Sequence, residues 1–136
     1  MVPGSGGGSG TAEDPFRGLA AADAQAQLRD VVLVHAGMYR STWSPRANGE
    51  PGRPIVWSGG VDGEAMLHGQ GQAAERPERG ICAESLHDGY FERLTVRSAQ
   101  FLIVASHAQR LVLWAFHLYG GTTALRPPPA TAPARC

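Results

Sequence analysis

Residues 90–119 read YFERLTVRSAQFLIVASHAQRLVLWAFHLY, thirty positions without Gly or Pro, between Asp88-Gly89 and Gly120-Gly121. Elsewhere the chain is dense in both, with 18 Gly and 10 Pro in 136 residues. At that frequency a given window of this length free of both arises roughly once in a thousand, so the run needs a structural reason. A helix ended by a glycine cap is one reason. A β-meander opened by the Asp88-Gly89 hairpin signal is the other.

Periodicity divides the run. Positions 90–97 alternate, with Tyr90, Leu94 and Val96 on one side and Arg93, Thr95 and Arg97 on the other. From Gln100 onward a helical wheel gathers Val104, Ala105, Ala108, Leu111, Val112, Ala115, Phe116 and Tyr119 on one face. Leu102, Ile103, Leu113 and Trp114 intrude on the opposite face beside Arg110 and His117. The reading taken forward is an amphipathic helix over 98–119, preceded at 90–97 by frayed turns or a strand.

Residues 19–36 form a second uninterrupted stretch with helical edges. Asp14 stands as N-cap, Pro15 at the first helical position, and Gly37 just past the end. The competing reading there is a short strand at 31–34. Residues 37–89 are broken by fourteen Gly or Pro. They offer one short strand, Pro54-Ile55-Val56-Trp57-Ser58, with Gly59-Gly60 as its turn. No internal repeat is evident. The expected fold is mainly α with a short β-hairpin, an α+β arrangement being the alternative, in a small, partly disordered single unit. Residues 1–14 are read as a flexible Gly/Ser leader, 15–119 as the ordered region with a loop-rich middle at 37–89, and 120–136 as a Pro-rich disordered tail.

All twelve basic residues are Arg and none is Lys, against twelve Asp and Glu, so the net charge is zero. This Arg/Gly/Ala/Pro-rich, Lys-free composition is that of a GC-rich coding region. Neutrality argues against a nucleic-acid binder, which needs a surplus of basic groups. The charge is nonetheless asymmetric: every acidic residue lies at or before Glu92, and the five Arg from Arg93 onward have no acid among them. Two cysteines, Cys82 and Cys136, are too few for a disulfide scaffold. The leader lacks the apolar core of a secretory signal, which leads to an expected cytoplasmic location, with diffusion to the nucleus open at this size.

Chemistry-bearing residues do not fall into metal or catalytic spacings. Among His35, His68, His87, His107, His117 and Cys82, the nearest pairs are Cys82 with His87 and His107 with His117, and neither has zinc-ligand spacing. The glycine clusters Gly59-Gly60-Val61-Asp62-Gly63 and Gly69-Gln70-Gly71 lack the order of a phosphate loop, and no Lys is present to serve one. No cofactor and no enzymatic activity are expected. The function read from the sequence is that of a small regulatory protein binding a protein partner through 98–119. Leu102, Ile103, Arg110, Leu113, Trp114 and His117 are the candidate contact residues. The alternatives are membrane-surface association through the same segment, a reading frame with no evolved site, and a small enzyme.

Overall fold

The structure, a computed structural model, describes residues 1–69 and 79–120. The tail expected to be disordered, apart from Gly120, and residues 70–78 of the loop-rich middle lie outside these residues. Strand dominates, and the expectation of a mainly α protein is overturned. Among the described residues the one helix, α1 (Leu19–Asp23), is little more than a single turn. Ten short strands follow: β1 (Val31–Leu33), β2 (Gly37–Tyr39), β3 (Ile55–Ser58), β4 (Ala65–His68), β5 (Arg79–Glu84), β6 (Gly89–Glu92), β7 (Thr95–Arg97), β8 (Phe101–Ser106), β9 (Val112–Trp114) and β10 (His117–Tyr119).

Every pairing between these strands is parallel, and the chain winds through three faces in turn. The first face is the sheet β1-β3-β6-β9, and the second contains β2, β4, β7 and β10 in chain order. The third pairs β5 with β8, with Trp43 joined to Ile81 by a parallel bridge. The arrangement is a β-solenoid. Its early coils are irregular, since Val56 pairs back to Val31 but forward to Tyr90, a longer interval. The last coil is regular. Ile81↔Ile103, Tyr90↔Val112 and Val96↔Leu118 all keep one offset, i to i+22, on three different faces.

The same period appears in the backbone. Ser85, Asp88, Arg93 and Ser98 have positive φ, and at that offset so do His107, Arg110, Ala115 and Gly120. These are the corners where the chain leaves one face for the next. Seven of the eight are not glycine, so the corners leave no Gly or Pro mark, and that is why residues 90–119 run uninterrupted without being a helix. The expected amphipathic helix at 98–119 is instead β8, β9 and β10 on three different faces. Its mixed wheel is a period-2 pattern re-phased at each corner.

The expected helix over 19–36 stops at Asp23. Asp30 accepts the Gln27 N–H in a tight turn, and Arg29 has φ 72°, which no helix accommodates. Beyond it, 31–33 is strand, the competing reading. Asp14 does not cap a helix either: its carboxylate accepts the Ser9 N–H, and Gly18 stands at the start of α1. Asp88-Gly89 opens β6 rather than a hairpin, since β6 and β7 lie in different sheets.

The interior is built from stacks in register. Trp57, Phe91 and Leu113 align on the first face, and Tyr39, Leu67, Val96 and Leu118 on the second. Trp57 and Phe91 stack with ring centroids 6.4 Å apart and planes 8° from parallel. Trp43 enters edge-on from the third face, 4.7 Å from Trp57 and 5.3 Å from Phe91. Aromatic contacts of this kind contribute about 0.5–1.5 kcal/mol each beyond area burial. Residues 1–14, read as a flexible leader, instead begin with Met1 buried in this interior. The Met1 carbonyl accepts hydrogen bonds from the His35 N–H at 3.0 Å and the Tyr39 hydroxyl at 3.1 Å, and Val2 bridges to Arg17.

Candidate functional site

Because successive strand residues point to opposite sides, the residues beside an inward stack form outward rows. On the first face one row is Val31, Val56, Tyr90 and Val112, and the other is Leu33, Ser58, Glu92 and Trp114. The first row is apolar throughout. Val31 is 59% exposed, Tyr90 41% and Val112 39%, while Trp114, on the second row, reaches 67%. Leu33 lies across the sheet from Trp114 and is also exposed. The interior is complete without any of them.

Both margins of this face are ion-paired. On one side Arg110 donates from Nε to Asp88 Oδ1 at 2.6 Å and from a terminal nitrogen to Oδ2 at 2.7 Å. His87 Nδ1 lies 3.4 Å from the same carboxylate. The Arg110 hydrogen bonds hold the Asp88 carboxyl below the usual carboxylate range, and the same bonds raise the Arg110 guanidinium. On the other side Ser58 Oγ is 2.7 Å from Glu92 Oε1, and Arg93 bonds both the Glu92 carboxylate and the Gly59 carbonyl. Nearby, Thr95 donates to Glu64 at 2.7 Å. Apart from His87 Nδ1, which is buried without a hydrogen-bond partner, these groups satisfy one another.

At the corner between β1 and β2, His35 Nδ1 meets Asp62 Oδ2 at 2.8 Å, and the Ala36 N–H donates to Asp62 Oδ1 at 2.8 Å. The pairing with His35, then the backbone bond, lowers the Asp62 carboxyl. A hollow of about 660 Å³ is lined by Leu19, Ala20, Asp23, Trp43, Arg46 and Ala47 among others. The Asp23 carboxylate there already accepts the N–H groups of Arg46 and Ala47, so it is a loop clamp. Among the described residues no group of three or more His, Cys, Asp and Glu gathers as a metal site would.

The six residues singled out in the sequence separate. Leu102 and Ile103 are 1% and 2% exposed and sit in the interior. Leu113 is half-buried against the core. Arg110, Trp114 and His117 are exposed, but Arg110 and Trp114 belong to the first face and its margin, and His117 to the second. The helical wheel also misplaced Val112, which points outward, whereas Phe116, on the same wheel face, does pack against the core. What sequence reasoning missed was Val31, Leu33, Val56 and Tyr90. They lie at least one full coil before Trp114 in the chain, and only the coil register brings them beside it.

No known protein family, curated protein or solved structure matches this chain. Among the described residues no helix is long and apolar enough to cross a membrane.

Proposed function

We propose that the protein is a non-enzymatic binding module that docks a partner protein on the outer face of its first sheet. The observation that carries this is the unbroken outward row Val31–Val56–Tyr90–Val112, with Leu33 and Trp114 exposed beside it. Burying such side chains is worth roughly 1.5–3 kcal/mol each, a cost left standing while they face water.

The size of the face selects the occupant. Four strands about 4.8 Å apart, with two outward positions each, span roughly 200 Å². A stable complex buries about 800 Å² per partner. The face therefore suits a short extended segment of a partner, held transiently, better than a second copy of the chain. The ion-paired margins frame it without adding net charge.

A photo-reactive phenylalanine derivative placed at Tyr90, and in a separate variant at Arg53, in the turn before β3 and outside both outward rows, tests the reading. A discrete adduct from position 90, absent from position 53 and lost on Trp114→Ala, is the expected result. Trp114→Ala is expected to weaken binding by about 2 kcal/mol with little change in the unfolding midpoint. Equal adducts at both positions, or none at 90, overturn it.

A further inference from the structure

The outer face of the second sheet has a different chemistry. One outward row runs His68, Arg97, Tyr119 in register, with Arg40 directly after the strand that precedes His68 in the sheet. The other runs Met38, Met66, Thr95, His117. Arg40, Arg97, His117 and Tyr119 are exposed, and the His117 and Tyr119 rings meet edge to face at 6.3 Å. Neither row contains a carboxylate. Glu64, at the margin, is engaged by Thr95.

Arg17, Arg53, Arg93 and Arg110 each have a carboxylate partner. Among the described residues Arg40 and Arg97 have none, and Arg97 instead donates to the Met66 sulfur at 3.9 Å. Two strand spacings, about 10 Å, separate these arginines. This face is also continuous with the first, because only Ala115 and Phe116 separate Trp114 from His117.

We propose that the second face takes the acidic part of the same partner, an extended segment in which carboxylates accompany apolar side chains. This deepens the binding-module reading and rests on it. Arg40 and Arg97 each offer a planar pair of donors to a carboxylate, and Tyr119 and His117 offer ring surface beside them. Two such arginines on a neutral chain suit a short acidic peptide. A nucleic acid would need several more phosphate contacts for useful affinity at physiological salt.

The test uses the full chain and three labelled peptides of equal length, alternating Leu with Glu, with Gln or with Lys, followed by fluorescence anisotropy. The Glu peptide is expected to bind about tenfold more tightly than the Gln peptide at low salt, and the Lys peptide more weakly than either, with the gaps closing as salt rises. The double variant Arg40→Gln/Arg97→Gln is expected to lose the preference for Glu and keep its affinity for the Gln peptide, with an unchanged circular-dichroism spectrum. Trp114→Ala is expected to weaken the Glu and Gln peptides alike. Equal binding of Glu and Gln peptides overturns the acidic-segment proposal alone, whereas indifference of both to Trp114→Ala overturns the binding-module reading beneath it. Arginine-dependent retention on phosphatidylserine vesicles without a Glu-peptide preference also overturns the proposal, in favour of a membrane surface.

Discussion

Asp88 and Arg110 hold the same corner on consecutive coils, and their side chains join through two hydrogen bonds of 2.6 and 2.7 Å. Both residues have positive φ, 52° and 49°. The pair fastens the last coil to the one before it at the margin of the apolar face. Asp88 is itself buried, and this partner offsets the cost of burying its charge.

A pH dependence follows from the lowered Asp88 carboxyl. Its contribution is fully present above the unfolded value near 3.9 and is lost as pH falls through the lower folded value. Thermal melts of the wild type and of Asp88→Asn are expected to differ at neutral pH, the wild type being more stable, and to converge as pH drops below about 4. A gap that persists unchanged into strong acid would contradict the pairing.

Ala115 occupies a corner at φ 51°, where an L side chain is strained by about 1–2 kcal/mol. The next corner along the chain, Gly120, is already glycine. Ala115→Gly is expected to raise stability by about 1 kcal/mol in denaturant melts, the reverse of the usual sign for this substitution.

Phe91 lies in register between Trp57 and Leu113. Phe91→Ala is expected to cost about 3–5 kcal/mol. Phe91→Leu, which repeats the residue found one coil later, is expected to cost less than about 1.5 kcal/mol. Equal losses would remove the stack from the core.

Gly80 sits where a Cβ would lie 2.3 Å from the Val96 side chain and 2.5 Å from the Leu102 carbonyl oxygen. The obstruction is interior side chain and backbone, so Gly80→Ala is expected to destabilise by about 1–3 kcal/mol in the same melts. A neutral result would mean that the second and third faces are not packed this closely.

Part of this architecture was legible in the sequence. The strand at 55–58 with its glycine turn and the strand reading of 31–34 correspond to real elements, whereas the alternation over 90–97 breaks at the Arg93 corner, leaving Tyr90 outward and Leu94 and Val96 inward. The repeat was not legible, because laying 79–98 against 101–120 leaves only Ile81/Ile103 and Ala83/Ala105 identical. What is preserved is inward placement at matching positions, such as Phe91 with Leu113 and Val96 with Leu118. The corners hid for a related reason. Ser85, Asp88, Arg93 and Ala115 adopt the left-handed conformation that glycine usually marks, so an uninterrupted run looked helical. Of the two faces, Trp114, Arg110 and His117 were recognisable as surface groups, whereas Val31, Tyr90, Arg40 and Arg97 join them only through pairing across coils.

The fold and both faces depend on one register, and nuclear Overhauser contacts across the last coil test it most directly. Backbone contacts are expected between Ile81 and Ile103, Tyr90 and Val112, and Val96 and Leu118, all sharing the one offset. Strong sequential strand contacts are expected within each of these segments. Continuous i,i+3 contacts through 98–119, with none between those three pairs, would contradict the solenoid and remove both proposed binding faces with it.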